Sequence, residues 1–184
     1  MLVIFLVRQT LIASFRKLKP LDYLLYLPSL AFFQILLTII IAIILSITGH
    51  TSASLMGSDN NFLATVNDQF KSQTILLVMN HIWIGIIGPF VENILFIYFI
   101  QGQLLKSMNQ PDSSKLSKAF QIVLVTILFM CWHLKSLNDF SDPGFYRYIA
   151  LIWMPFIYVK TNSLAKTIVT HIGLNSIGIL IYFV

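Results

Sequence analysis

Charge is scarce in this sequence. Only 10% of the 184 residues are Asp, Glu, Lys or Arg, whereas hydrophobic residues make up 57%. A soluble domain of this size could not bury so much apolar surface, so the composition excludes a soluble enzyme and indicates an integral membrane protein. The length fits one unit, and we expect a single membrane domain over residues 1–184.

Cysteine pairs and basic patches are also lacking. Cys131 is the only cysteine, which excludes an intramolecular disulfide. The net charge is +5, but the basic residues are spread over short loops and form no patch. Their placement indicates membrane topology and contact with membrane lipids, and it gives no reason to expect a nucleic-acid partner.

Long apolar runs predict an all-α fold, a polytopic membrane helix bundle with about five spans. The fourth run is only about 18 Å long as a helix, which is less than a hydrocarbon core needs. One or two interfacial helices are expected as well, because residues 1–20 place Arg8, Arg16 and Lys19 on one side of a helix and part of 49–73 has helical spacing. The five runs are residues 24–47, 74–105, 116–134, 147–160 and 164–184.

Basic residues alternate along the chain and predict an orientation. The N-terminal segment, the loop 106–118 and the connection 160–166 are rich in Lys or Arg, while the loops between them are neutral or slightly acidic. Because Lys and Arg accumulate on the cytoplasmic side, the N-terminus is expected in the cytoplasm and the C-terminus outside. The expected location is a bacterial cell membrane.

Glu92 is the only glutamate, and it lies inside the second apolar run. An ionisable group at membrane depth is costly, so it is a functional candidate by default, although a buried carboxyl can simply hydrogen-bond a neighbouring helix. Gly88-Pro89 stands just before it. Because proline disrupts helices, the sequence predicts a kink or restart there, with Glu92 in the first turn of the new helix.

Three further polar side chains lie in apolar helical runs: His133, His171 and Asn175. His171 and Asn175 are four residues apart and therefore share a helix face. One carboxylate, two imidazoles and one carboxamide can activate a water and bind a developing oxyanion. A single intramembrane histidine is more often a helix-packing residue, so the prediction depends on the full set. Cys131 points away from His133, which argues against a thiol protease.

These residues fall in three motifs that resemble those of the CPBP family, the CAAX-protease and bacteriocin-processing membrane proteins also called Abi. That family is recognised by Pro-x-x-Glu-Glu-x-x-x-Arg, Phe-x-x-x-His and His-x-x-x-Asn. Here the motifs begin at Pro89, Phe129 and His171, and the second and third match without departure. The family-like core covers residues 85–181. At two positions the first motif departs, with Asn93 for the second Glu and Ile97 for the Arg.

The resemblance implies an intramembrane endopeptidase in which Glu92 acts on the water, His133 and His171 complete the site, and Asn175 helps bind the oxyanion. Its substrate would be a peptide or lipidated peptide, in bacteriocin or peptide processing or in self-immunity. Two hypotheses about a metal cofactor stay open. Glu92, His133 and His171 could hold zinc with an open position, or the carboxylate could work without metal.

A second hypothesis belongs to a different class of function. The protein would keep this fold without catalysis and bind a peptide or partner, in an immunity or regulatory role. Asn93 and Ile97 favour this alternative, since they remove a pair spaced for a helix ion pair. Losing both partners of a buried pair can be near neutral, whereas losing one is not. A small transporter subunit is a third hypothesis, for which the sequence contains no repeat.

Overall fold

The computed structural model of the protein describes residues 2–48, 74–141 and 143–183, and within these ranges the regular elements are helices without a strand. The predicted all-α fold class is therefore confirmed. In chain order the α-helices are α1 (Leu2–Arg16), α2 (Pro20–Ile47), α3 (Thr74–Ile82), α4 (Gly88–Glu92), α5 (Lys115–Trp132), α6 (Trp153–Thr161) and α7 (Leu164–Phe183). The 3-10 helices are Lys106–Asn109, Leu137–Ser141 and Pro143–Ile152. Two π-helical stretches, Trp83–Ile87 and Asn93–Leu104, follow α3 and α4.

Three helical segments of the described chain are long and apolar enough to cross a membrane: Pro20–Ile47, Val78–Leu104 and Lys115–Trp132. Large apolar side chains such as those of Leu24 and Phe32 are exposed on α2, as suits a surface that meets lipid. The protein is thus an integral membrane helix bundle. Tyr148–Thr161 is a shorter apolar helix, in line with the short fourth run, and α7 has 20 residues. The total of about five spans stays a prediction.

Helix α1 has two different sides. Val7 and Leu11 are buried and join the main hydrophobic core of the bundle, whereas Arg8 and Arg16 are exposed. The predicted helix within residues 1–20 is therefore present, with its basic side chains outward and its apolar side packed on the bundle. The second surface helix expected within residues 49–73 lies outside the described residues.

Polar contacts tie α1 and α2 to the start of α7. The Ser14 hydroxyl accepts a hydrogen bond from the backbone N–H of Ala165 at 2.9 Å and lies 3.0 Å from the Ser163 hydroxyl. A side chain of α1 thereby satisfies one of the free N–H groups that begin α7. Lys166 forms an ion pair with Asp22 at 2.8 Å, which places the starts of α2 and α7 side by side.

The helix carrying Glu92 does not break at Pro89. The Gly88 backbone is helical (φ −56°, ψ −59°), and its N–H donates to the carbonyl of Trp83, five residues earlier. This wider π-type turn makes room for the proline ring, which would clash in an ordinary turn. Of the predicted kink or restart, the restart is wrong, because the backbone stays helical; the disruption at this place is the change from an α-type to a π-type turn. Glu92 ends α4 and is followed at once by the next helical stretch, so it has no free N–H groups beside it.

Candidate active site

Glu92 lies between the two histidines of the predicted set. Its Oε1 is 3.9 Å from Nε2 of His133, and its Oε2 is 3.8 Å from Nε2 of His171. These separations are too long for direct hydrogen bonds, but each leaves positions about 2.8 Å from both atoms, the usual distance to a water oxygen. Three distant parts of the chain thus bring one carboxylate and two imidazoles together in an otherwise apolar bundle.

His133 follows the last residue of α5 and is held by its own helix. Its Nδ1 lies 2.8 Å from the carbonyl oxygen of Phe129. A carbonyl can only accept, so Nδ1 carries the proton, and in the neutral ring Nε2 presents a lone pair toward Glu92. The ring of Tyr148 packs on the imidazole with the two centroids 4.3 Å apart.

Phe129, the first residue of the Phe-x-x-x-His motif, supports the site in a second way. Its side chain is fully buried, and its ring packs against Phe96 with centroids 4.4 Å apart and edge-on to His171 at 6.2 Å. One residue therefore orients His133 through its carbonyl and contacts His171 through its ring. This explains in physical terms why the motif pairs an aromatic residue with a histidine one helical turn later.

His171 is buried and is held by a residue that sequence reasoning treated as a loss. The amide nitrogen of Asn93 lies 3.0 Å from Nδ1 of His171 and 2.7 Å from the carbonyl oxygen of Pro89. Asn93 is fully buried, as is Ile97, which packs in the main hydrophobic core. The two departures from the motif are thus both accommodated, one as a hydrogen-bonding partner of the site and one as core.

Trp132 is a further member of this site that the sequence analysis missed. Its indole lies beside the carboxylate of Glu92, and its ring lies edge-on to Phe96 with centroids 6.0 Å apart. The available signal was its position beside His133 in the chain, which is weak because neighbouring helix residues usually point apart.

Asn175 is the one predicted residue that the structure does not bring into this group. Its amide nitrogen donates instead to the carbonyl oxygen of Ile84 at 3.2 Å. In this π-helical stretch the Trp83 carbonyl accepts from the N–H five residues later, that of Gly88, and the same pattern would pair Ile84 with residue 89. That residue is Pro89, which has no N–H. Asn175 therefore supplies the donor that the proline lacks.

The hydrogen bond from Asn175 to Ile84 should contribute measurably to the free energy of unfolding. We expect Asn175→Ala to destabilise the protein by about 1 kcal/mol, because the Ile84 carbonyl then loses its partner inside the bundle. In a Pro89→Ala background the new N–H can donate to Ile84, so the same substitution should cost much less. Thermal unfolding in detergent of the four variants of this cycle measures the difference. An equal cost of Asn175→Ala in both backgrounds would contradict the assignment.

The histidines do not fit a zinc site equally well. A histidine ligand must offer a ring nitrogen without a proton. His133 does so at Nε2. His171 does not, because its Nδ1 faces the Asn93 amide as an acceptor and its proton is then on Nε2, the atom directed at Glu92. Among residues 2–48, 74–141 and 143–183, no group of three His, Cys, Asp or Glu side chains is placed to hold a metal ion.

Fold and site together define a helical membrane protein with one glutamate and two histidines brought together inside the bundle. The chain belongs to the Rce1-like family, described as type II CAAX prenyl endopeptidase Rce1-like, whose model matches residues 74–177. This span is more than half of the chain and includes Glu92, His133, His171 and Asn175. The predicted CPBP relationship is confirmed. No match was found among curated proteins or solved structures.

Proposed function

We propose that this protein is an intramembrane endopeptidase that hydrolyses a peptide bond with a water activated by Glu92. One observation carries the proposal: the Glu92 carboxylate lies 3.8 and 3.9 Å from the Nε2 atoms of two histidines within a membrane bundle. Isolated polar side chains in such bundles are costly, and a cluster of three is more so. Catalytic separations in a free enzyme are commonly long and shorten when substrate binds.

The reaction follows from the proton positions. A water between Glu92 and His133 gives one proton to the carboxylate while its oxygen bonds to the substrate carbonyl carbon. The negative charge that develops on the carbonyl oxygen is stabilised by the Nε2–H of His171. When the C–N bond breaks, Glu92 returns the proton to the leaving amine, so that the carboxylate is restored and no co-reactant is needed.

The proposed substrate is a peptide or a lipidated peptide that reaches the site from the bilayer. The family description names a prenyl endopeptidase, which makes a prenylated C-terminal peptide the first substrate to test. Bacteriocin or peptide processing and self-immunity are the biological settings we propose. The test is cleavage, by protein reconstituted in liposomes, of matched peptides with and without a prenyl group, with Glu92→Gln as the inactive control.

A non-catalytic binder is the second candidate, favoured by the departures at Asn93 and Ile97. It keeps the same fold and binds a peptide or partner protein without cleaving it. The two functions differ in what the carboxylate must do. For a binder, Glu92→Gln matters only if binding or folding fails, whereas for a peptidase it removes turnover from a folded protein.

We further propose that the N-terminus is cytoplasmic. The ion pair between Asp22 and Lys166 places the basic connection before α7 on the same side as the basic N-terminal segment, as the excess of Lys and Arg in cytoplasmic loops requires. The same rule gives the loop 106–118, which has three lysines and one aspartate, a cytoplasmic position.

Cysteine labelling of intact cells checks this orientation. Cys131 is exposed, so the experiment starts from Cys131→Ser. Asp112 and Asn138 are exposed residues in loops at opposite ends of α5. We expect a membrane-impermeant reagent to label Asn138→Cys directly and Asp112→Cys only after the cells are opened. Labelling of Asp112→Cys from outside intact cells would reverse the assignment.

A further inference from the structure

Asn93 occupies an unusual position between the helix of Glu92 and helix α7. Its side chain is fully buried, and its single NH₂ group faces two acceptors, the carbonyl oxygen of Pro89 at 2.7 Å and Nδ1 of His171 at 3.0 Å. Its own oxygen, Oδ1, is buried without a hydrogen-bond partner in the described part of the chain. The residue therefore acts on its surroundings only as a donor.

The Pro89 carbonyl fixes the direction of this amide. If the amide were turned over, its oxygen would lie against the carbonyl oxygen of Pro89, and two acceptors would face each other. The NH₂ group must therefore point toward both Pro89 and His171. Because an NH₂ nitrogen cannot accept, Nδ1 of His171 must be the acceptor, and the proton of the neutral ring lies on Nε2. An imidazolium at His171 would place two donors face to face.

We propose that Asn93 is a positioning residue that holds His171 as the Nε2–H tautomer, so that this imidazole can donate a hydrogen bond to the site but cannot serve as a base or a zinc ligand. The proton position follows from the contacts alone. Its catalytic consequence rests on the proposed peptidase function.

A carboxylate at position 93 would have the opposite effect. It would accept a hydrogen bond from Nδ1–H of His171 and leave Nε2 as a lone pair directed at Glu92. The CPBP motif has a glutamate at this position, as noted above. The difference between an amide and a carboxylate at one buried position therefore decides whether the imidazole donates or accepts toward the reacting groups.

Nitrogen NMR of the ring nitrogens measures the proton position directly, because protonated and unprotonated imidazole nitrogens have well-separated chemical shifts. In the wild-type protein we expect His171 to carry its proton on Nε2 and His133 to carry it on Nδ1, so the second histidine is an internal reference. The signals are assigned by comparison with His171→Gln. Asn93→Asp keeps the side-chain shape, and its ionised carboxylate, rotated away from the carbonyl oxygen of Pro89, should place a proton on Nδ1 of His171.

One result would overturn the tautomer assignment: a proton on Nδ1 of His171 in the wild-type protein. The wild-type spectrum decides the tautomer of His171 even if Asn93→Asp fails to fold.

A cobalt titration read by visible absorption provides a second measurement. Asn93→Asp should bind the ion more tightly than wild type, and this gain should vanish when Asn93→Asp is combined with His171→Gln. Equal binding of cobalt by wild type and Asn93→Asp would contradict the inference that His171 cannot serve as a metal ligand in the wild-type protein.

The consequence for turnover is tested separately. Loss of a donor that acts on a developing oxyanion costs about 10²–10³ in kcat, so Asn93→Asp should lower kcat by that factor with little change in KM. A spectrum that changes as expected with an unchanged kcat would overturn the donor role of His171. A protein that cleaves no peptide at all would remove the proposed function and leave the proton assignment standing.

Discussion

Glu92→Gln is expected to abolish peptide cleavage while the protein stays inserted and folded. The carboxylate must take a proton from water, and an amide of nearly the same shape cannot do so at neutral pH. General-base assistance is commonly worth about 10²–10⁴ in rate, so the remaining activity should fall by at least about 10²-fold. Stability should change little or increase, because the substitution removes an ionisable group from the interior of a membrane bundle.

The measurement is paired: cleavage by reconstituted protein and melting in detergent, for wild type and Glu92→Gln. The melting curve separates lost chemistry from lost folding. Trp132, which lies beside the carboxylate, can also face the amide oxygen of the substituted side chain, so its packing does not have to change. Equal cleavage by both proteins would end the assignment of Glu92 as the base, and with it the proposed mechanism.

The two histidines should respond unequally to the same substitution. A glutamine side chain places an amide near the position of Nε2 and can donate an N–H, but it cannot take up a proton at neutral pH. His171 is required as a donor and glutamine keeps an N–H near that position, so His171→Gln should lower kcat only about tenfold, through less favourable hydrogen-bond geometry. His133 presents a lone pair beside the proposed water, so His133→Gln should lower kcat by about 10² or more.

Each of these variants is the control for the other, since both replace an imidazole in the same site by the same side chain. Phe129 touches both residues, through its carbonyl to His133 and through its ring to His171, so a general loosening of the site would lower both activities alike. Equal losses, or a larger loss for His171→Gln, would contradict the proton positions that the hydrogen bonds assign.

Sequence reasoning predicted those features of the site that depend on spacing within one helix. The all-α class follows from the apolar runs, and the pairs Phe129 with His133 and His171 with Asn175 follow from a spacing of one helical turn. Glu92 was identified because a lone carboxylate in an apolar run is costly. Of the kink or restart expected at Pro89, the restart is wrong because a wider turn accommodates the ring. One hydrogen bond from a distant helix replaces the missing donor.

Contacts between distant parts of the chain could not be predicted in this way. Asn93 is paired with His171, which is 78 residues later, and Asn175 with Ile84, which is 91 residues earlier. Ser14 meets Ser163 across 149 residues. The spacing of residues in a single sequence does not show which distant side chains meet. From sequence alone, Asn93 is therefore a departure from a motif, and only the packed bundle gives it a hydrogen-bonding role.

The hydrogen bonds of Asn93 with His171 and of Asn175 with Ile84 also restrain the position of helix α7. They attach α7 to the Glu92 segment at points one helical turn apart, and moving α7 along its axis by a single residue, about 1.5 Å and 100° of rotation, would break both at once. At the end of α5 the hydrogen bond of His133 runs back to its own helix at Phe129. This end meets the Glu92 segment through the rings of Phe129 and Trp132, which pack on Phe96. Helix α7 is thus fixed along its axis by directional hydrogen bonds, whereas the end of α5 is held by ring packing, which sets its position less strictly.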